Sequence, residues 1–334
     1  MFRKFLAIGL ATALLGGALA GSAMVYYARS PLPIKAAAVQ FTLASGSSLK
    51  SAARQMSAAG VVDHPQLFVV LGRILGHAGR IKAGSYEFEP GLTHYALLQK
   101  ITRGDVTLMS ITFTEGSTFR QMRAVLDQHP ELKHDTAALG NAEILERLSI
   151  DGPSPEGWFF PETYYFSAGT SDLLILQRAH RLMKHQLDTR WDGRAPDLPL
   201  KTPYDALILA SIVEKETGRS EDRPLVAAVF LNRLRKGMLL QADPTVIYGL
   251  GEAFDGNLRK RDLLADTPYN TYTRGGLPPS PIAMPGLASI KAVLNPPDSD
   301  VLYFVSRGDG SSHFSRTLSE HDRAVTKYQR AGKR

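Results

Sequence analysis

The segment TPYDALILASIVEKET, residues 202–217, decides the core of the larger part of this chain. Thr202 is a suitable N-cap, Pro203 suits the first helical position, and Asp205 can bond back to the cap. Residues 206–213 are apolar on nearly every face of the helix that this start predicts. Because a helix that is apolar all round must be buried, the segment predicts a central core helix.

Two carboxyls close this helix, at Glu214 and Glu216, just before Gly218. The helical period places Glu216 on the side of Leu209 and Ile212, which only mildly favours it over Glu214 as the more buried acid. A carboxyl held against apolar groups has a raised pKa, so it can stay protonated near neutral pH and donate a proton to a leaving group. A solvated helix end with an ordinary charge pair is the alternative interpretation of the same spacing.

Three segments rich in Tyr, Asn, Gln, Thr and Pro follow, and we predict loops for all three: residues 241–249, 269–273 and 276–286. Proline stiffens a loop before any ligand binds. Tyrosine rings and amide side chains offer a sugar an apolar stacking surface and hydrogen bonds. The loops therefore favour a carbohydrate site near the end of the helix.

Length and composition bound the class of protein. The 334 residues suggest two or three domains, and 44% apolar with 21% charged residues exclude a fully disordered chain or a polytopic membrane protein. The absence of cysteine excludes disulfides, thiol nucleophiles and cysteine-ligated zinc. A net charge of +7 suits an anionic surface such as lipid headgroups or cell wall.

The N-terminus predicts export. An uncharged run of 24 residues from Phe5 to Ala28 is long enough to cross a bilayer, and Arg3 and Lys4 before it place the N-terminus in the cytoplasm. We favour an uncleaved anchor over a signal peptide cleaved near Ala20, because the run extends beyond a usual signal sequence. Either alternative exports the rest of the chain, so nucleic acid is not an expected partner.

Periodicity and turn residues predict further elements. After a short linker at residues 30–33, we expect strands at 36–43 and 83–88 and helices at 49–59, 66–75 and 93–102, which together form a small α+β unit. A strand region at 107–113 begins the larger domain, a helix covers 222–236, and a basic tail covers 330–334.

Several stretches together resemble the YceG-like family, the endolytic murein transglycosylases. They are EGWFFPETY at 156–164, ASIVEKET at 210–217, QADPTVIY at 241–248, YNTY at 269–272, GLPP at 276–279, YFV at 303–305 and HF at 313–314. The anchor and the small unit fit as well, so the resemblance covers nearly the whole chain. One departure is Glu162, where we expect aspartate in some relatives.

The resemblance implies an α+β fold in three parts. These are a cytoplasmic N-terminus with a transmembrane anchor at residues 1–29, a small LysM-like α+β domain at 30–106, and a larger α+β catalytic domain at 107–334 whose buried helix carries the glutamates.

The resemblance also implies a lyase that cleaves the β-1,4 bond between N-acetylmuramic acid and N-acetylglucosamine in nascent peptidoglycan strands and leaves 1,6-anhydro ends. Glu216 is the catalytic acid and base that the motif carries over, and no cofactor or metal is implied. It further implies a single-pass inner-membrane protein with a periplasmic catalytic domain, associated loosely with peptidoglycan synthases. Our candidates for substrate binding are Gln241, Asp243, Thr245, Tyr248, Asn270, Tyr272, Glu156 and His313.

Two other functions remain open from the residues themselves. A lysozyme-type muramidase would use Asp243 as a second carboxylate, and a non-catalytic wall-binding scaffold would need only the small domain and the basic charge. Neither the His-Glu-x-x-His spacing of zinc proteases nor Gly-x-Ser-x-Gly occurs in the sequence.

We expect mass spectrometry of the mature protein to find the N-terminal residues that precede the apolar run, because an anchor keeps them. A mature N-terminus near residue 21 would contradict the anchor and establish a cleaved signal peptide.

Overall fold

The computed structural model describes residues 2–34, 38–44 and 46–330, and it mixes helices with short strands, as the sequence predicts. The helices are α1 Phe2–Arg29, α2 Leu49–Ala58, α3 Pro65–Ile74, α4 His94–Arg103, α5 Phe119–Asp127, α6 Asn141–Leu148, α7 Asp172–Asp192, α8 Pro203–Glu216, α9 Arg223–Arg235, α10 Asp243–Leu250, α11 Lys260–Leu264, α12 Leu287–Leu294 and α13 Leu318–Val325. The strands are β1 Val39–Leu43, β2 Gly84–Phe88, β3 Met109–Thr112, β4 Leu132–Lys133, β5 Thr163–Phe166, β6 Thr170–Ser171, β7 Tyr303–Ser306 and β8 Ser312–Ser315.

The chain divides into two compact units. The first comprises Met1–Ser110 with Tyr165–Thr170, and the second comprises Ile111–Tyr164 with Ser171–Arg334. The strands pair two by two, as β1 with β2, β3 with β5, β4 with β6, and β7 with β8. Tyr165–Thr170 belongs to the first unit although it is far from the rest of that unit in sequence. Strand β5, which includes Tyr165, pairs with β3, and no local sequence pattern indicates such a pairing.

The first unit packs helices on a two-stranded antiparallel sheet. In that sheet Val39 lies opposite Phe88 and Leu43 lies opposite Gly84. The observed helices differ from the predicted ones by one residue at either end, because the apolar period and the glycine stops are local signals. Residues 36 and 37 of the first predicted strand, and 331–334 of the predicted tail, lie outside the described residues.

The last turn of α1 belongs to the core of the first unit. Tyr27 is only 7% exposed, and its hydroxyl donates to the carbonyl of His64, 3.1 Å away. Its ring centroid lies 4.1 Å from that of His94, which is also buried. α1 also includes a segment, Gly9–Arg29, that is long and apolar enough to cross a membrane by length and composition.

The second unit is built around α8. Residues 206–213 are all buried, and α8 contacts α7, α9, α10 and α12. Its start is a capping box in which the Asp205 N–H donates to the Thr202 hydroxyl at 3.1 Å and the Thr202 N–H donates to the Asp205 carboxylate at 3.1 Å. Burial on all sides follows from the absence of a polar face on this helix.

The prediction of a loop over residues 241–249 is wrong, because α10 begins at Asp243. Pro244 lies in the first helical turn, where its missing N–H has no intrahelical partner to lose. Val246 is buried, and α10 packs against α8. Tertiary packing therefore makes a helix of a segment whose composition is typical of a turn.

The Glu214 carboxylate fixes the C-terminal end of α8. One oxygen lies 3.3 Å from the Arg223 guanidinium, and the other accepts from the Gly286 N–H at 2.9 Å and the Ser289 hydroxyl at 2.7 Å. Gly286 is the N-cap of α12, so the negative charge also lies at the positive end of that helix. This buried ion pair joins α8 to α9 and α12.

We expect Glu214→Gln to lower the free energy of unfolding of the second unit by about 3 kcal/mol, because the neutral amide leaves the buried Arg223 charge unpaired. The chain has two tryptophans, Trp158 and Trp191, both in this unit, so their fluorescence follows its unfolding. Glu216→Gln on the same helix is the matched control and should change stability little. Equal losses in both variants would contradict the structural role of Glu214.

Candidate active site

Glu216 is the last residue of α8 and is partly exposed. Within the described part of the chain, no group donates a hydrogen bond to its carboxyl. Burial against apolar groups raises the pKa of Glu216 to about 8, the negative charge of Asp243 contributes in the same direction, and the positive charge of Arg233 opposes both. The group is therefore a carboxylic acid at neutral pH, held close to solvent.

Asp243 and Tyr272 lie beside Glu216, and we call these three residues the acid site. Asp243 is the exposed first residue of α10, and its carboxylate accepts a hydrogen bond from the Tyr272 hydroxyl at 2.5 Å. The pKa of Tyr272 is raised, first by burial and then by its bond to Asp243. A proton donor, a carboxylate and a phenol thus meet in one place.

Arg233 is a buried residue near the acid site, and the sequence did not predict it as a site residue. Its Nε donates to the Leu302 carbonyl and its Nη1 to the Leu240 carbonyl, both at 2.8 Å. The guanidinium carbon also lies 5.3 Å from the centre of the Tyr303 ring. Arg233 is one of three arginines in α9, and helical periodicity alone does not say which of these cations turns inward.

Gln241 lies on the link between α9 and α10. It adopts a left-handed backbone with φ of 52°, which is uncommon outside glycine and asparagine. Its N–H donates to the Thr271 carbonyl at 3.1 Å, and its side-chain oxygen accepts from Arg233 at 3.3 Å. The Gln241 side chain is exposed, and its hydrogen bond to Arg233 keeps it close to the acid site.

Thr245 and Asn270 lie in the interior, where neither side chain is exposed. The Thr245 hydroxyl donates to the Ala242 carbonyl at 2.7 Å. The Asn270 amide donates to the Ala265 carbonyl at 2.6 Å and accepts from the Tyr272 N–H at 2.8 Å. Their polar atoms are thus engaged within the protein, and these two residues hold the segments that carry Asp243 and Tyr272.

Glu156 is a second acid with a raised pKa. It is 4% exposed, and its carboxyl accepts from the Phe119 N–H at 2.9 Å and from the Tyr248 hydroxyl at 3.1 Å. Burial raises its pKa to about 7, while these hydrogen bonds and the charge of Lys215 act in the opposite direction. Unlike Glu216, this carboxyl already has two protein donors, which tie α5 to α10.

A cavity of about 1290 Å³ lies beside this second acid within the same unit. Its lining includes Glu156, Tyr248, Lys215 and Pro244. Lys215 and Pro244 are the sequence neighbours of Glu216 and Asp243, but the described lining of the cavity includes no member of the acid site.

His313 lies on β8, and its neighbours in sequence do not belong to the acid site. Its Nδ1 is 3.4 Å from the Arg307 guanidinium, and its ring centroid is 5.6 Å from that of Tyr328. Among the described residues, none of these contacts includes a member of the acid site.

One group of described residues brings metal-ligating atoms within 4.8 Å of one another, namely Asp127, His134 and Asp172. The buried Asp172 carboxylate already accepts from the Thr136 N–H at 3.1 Å, from the Thr136 hydroxyl at 2.6 Å and from the Leu173 N–H at 2.7 Å. The lone pairs of the Asp172 carboxylate are therefore occupied by these protein donors.

The chain is similar to known proteins over most of its length. Residues 41–327 match the YceG-like family. A Bacillus subtilis (strain 168) protein named endolytic murein transglycosylase is 32% identical over 309 residues, which cover 87% of this chain and 84% of that protein. A protein of the same name from Streptococcus pneumoniae D39 is 27% identical over 91% of this chain and 61% of its own length.

The structure is similar to the crystal structure of a yceG-like protein from Listeria monocytogenes. The TM-score is 0.55 at 28% identity, over 86% of this chain and 98% of that one. Sequence and structure therefore agree, and the chain belongs to the YceG-like family.

Proposed function

We propose that the chain is an endolytic murein transglycosylase that cleaves the bond between N-acetylmuramic acid and N-acetylglucosamine within peptidoglycan strands, with Glu216 as its general acid and base. The observation that carries the proposal is the Glu216 carboxyl, which has a pKa of about 8, accepts no hydrogen bond from the residues that the structure describes, and remains partly exposed. A general acid for neutral pH needs this combination of retained proton and access to substrate.

The reaction then needs one protein carboxyl. Glu216 donates its proton to the glycosidic oxygen as the bond from that oxygen to the muramoyl anomeric carbon breaks. The muramoyl 6-hydroxyl forms a new bond to the same carbon, and its proton passes to the Glu216 carboxylate. The products are a 1,6-anhydro end and a free N-acetylglucosamine hydroxyl, with Glu216 protonated again.

The other members of the acid site suit the charges that develop in this reaction. The cleavage passes through an oxocarbenium-like state, and the exposed Asp243 carboxylate beside Glu216 is our candidate for stabilising that positive charge. We assign Tyr272 to the orientation of Asp243 through their hydrogen bond. Gln241 and Tyr248 are our candidates for contact with neighbouring sugars, and Glu156 positions Tyr248.

A lysozyme-type muramidase is the second candidate function, because a second carboxylate does lie near Glu216. In a hydrolase with two carboxyls, Asp243 would act as nucleophile or base and water would end up on the muramic acid. The product distinguishes the two mechanisms, since only hydrolysis leaves a reducing end.

We also propose the cellular arrangement that the N-terminal helix supports. Segment Gly9–Arg29 fits a single-pass anchor, and Arg3 with Lys4 before it favours a cytoplasmic N-terminus and a periplasmic catalytic unit. Our further proposals are an inner-membrane location, a LysM-like domain at residues 30–106 and association with peptidoglycan synthases.

We expect Glu216→Gln to lower the rate of anhydro-product formation on purified sacculi by roughly 10²–10⁴-fold, because a glutamine has no proton to donate. Mass spectrometry of the released fragments measures the product. Tryptophan fluorescence should show an unchanged unfolding transition, so the loss is chemical.

Three results would contradict the proposal. Anhydro ends formed by Glu216→Gln at the wild-type rate would remove Glu216 from catalysis. Reducing muramic acid ends that borohydride can reduce, formed by the wild type, would establish a hydrolase. A wild type without any product would favour the wall-binding scaffold.

We expect kcat/KM to fall as the pH rises through about 8, close to tenfold per further pH unit, because the acid form of Glu216 is lost there. Asp243→Asn removes a negative charge that raises this pKa, so the fall should begin at lower pH. The asparagine oxygen can still accept from Tyr272, which keeps the local geometry. An alkaline limb that does not move in this variant would contradict the coupling between Asp243 and Glu216.

A further inference from the structure

The outer face of α3, which we define as Leu67, Val70 and Ile74, is apolar and exposed. These side chains are 40%, 41% and 66% exposed and recur at the spacing of one helical face. The opposite face, with Phe68 and Leu71, packs into the core of the first unit. A soluble domain gains nothing from exposing such a stripe, so its presence indicates a partner.

The same unit holds the end of α1, with no linker between them. α1 is continuous from Phe2 to Arg29, and Tyr27 in its last turn is buried in the core of the first unit. The hydroxyl of Tyr27 bonds the carbonyl of His64, which is the N-cap of α3. The start of α3 therefore lies against the end of α1.

Helix length places this junction at the membrane surface. A hydrocarbon core of roughly 30 Å takes about 20 helical residues. Counted from Phe5, the first residue after the charged Lys4, such a span ends near Met24, one turn before Tyr27, so the last residues of the apolar segment Gly9–Arg29 lie beyond the hydrocarbon core. The helices that pack on Tyr27 are thus at the level of the lipid headgroups.

The residues around the outer face of α3 are those that an anionic lipid surface attracts. Arg73 lies in the last turn of α3, Arg80 is exposed shortly after that helix, and Arg29 is exposed at the end of α1, next to the start of α3. Among the described residues, none of the three forms a salt bridge. Tyr26 is 78% exposed at the end of α1, and tyrosine is enriched at the bilayer interface.

We propose that the outer face of α3 inserts into the headgroup region of the same bilayer that α1 crosses. A short amphipathic helix with flanking arginines binds in this way, with its apolar side in the acyl boundary and its cations among the phosphates. Together with α1 it gives the first unit two points of membrane attachment, which fix its tilt. The inference rests on the proposed anchor and is independent of the proposed chemistry.

Single-cysteine labelling tests this directly, because the chain has no native cysteine. Val70→Cys and Ile74→Cys carry an environment-sensitive fluorophore in the full chain, reconstituted into vesicles of phosphatidylcholine and phosphatidylglycerol. Leu19→Cys on α1 reports insertion of the anchor. Leu264→Cys, at a position 68% exposed on α11, is the matched control for Ile74→Cys at 66%.

We expect the emission at positions 70 and 74 to shift to the blue and to be lost when lipids carry a nitroxide near the headgroup, with neither change at position 264. Replacing Leu67 and Val70 by serine should reduce the quenching at position 74, while circular dichroism shows that the helices persist.

Three results would overturn the proposal. Probes at 70 and 74 that behave like the one at 264, while position 19 is quenched, would leave the anchor in place and remove the membrane contact of α3. An unquenched probe at position 19 would remove the anchor on which the inference rests. A blue shift at 74 that lipid nitroxide does not quench, and that depends on protein density in the vesicle, would indicate a second copy of the chain as the partner.

Discussion

Burial of α8 on every side is the constraint on which the second unit depends. A helix without a polar face cannot move relative to its neighbours without exposing apolar surface, so its end is a fixed point in the fold. Two acids, Glu214 and Glu216, leave that fixed point in different directions and reach different environments. Glu214 meets an arginine and the N-terminus of α12 and is fully bonded, whereas Glu216 meets apolar groups and Asp243 and is not.

This difference explains how one short motif supplies both structure and chemistry. A carboxylate that accepts two hydrogen bonds and pairs with a guanidinium is stabilised in its charged form. A buried carboxyl without hydrogen-bond donors or a paired cation keeps its proton, and this retained proton is what makes Glu216 a candidate acid. The Glu214 ion pair keeps the end of α8, and with it Glu216, in place.

The elements that sequence predicts best are those set by local signals. The capping box of Thr202 and Asp205, the glycine after α4 and the apolar period of α3 all act within a few residues, and each element lies where its pattern places it. The preference for Glu216 over Glu214 could only be mild, because an all-apolar helix offers no polar face for comparison. The deciding partners, Gly286 and Ser289, lie about 70 residues further along the chain.

The remaining features of the site depend on contacts between distant segments. Arg233 turns inward because carbonyls of residues 240 and 302 are there to accept its protons. The α10 segment becomes helical because it has α8 to pack against, although its composition is typical of a turn. Thr245 and Asn270 belong to a polar-rich pattern that suggests ligand contacts, yet their bonds are to the protein's own backbone.

These hydrogen bonds within the protein determine how the site would bind a polymer. The turn that carries Tyr272 is tied by Thr271 to the segment that carries Asp243, because the Thr271 hydroxyl accepts from the Ala242 N–H at 3.0 Å and its carbonyl accepts from the Gln241 N–H at 3.1 Å. Segments that are ordered in advance lose little conformational entropy when a ligand arrives. In the proposed function, a glycan strand would then meet segments that are already in place, and binding would need no closure of a lid.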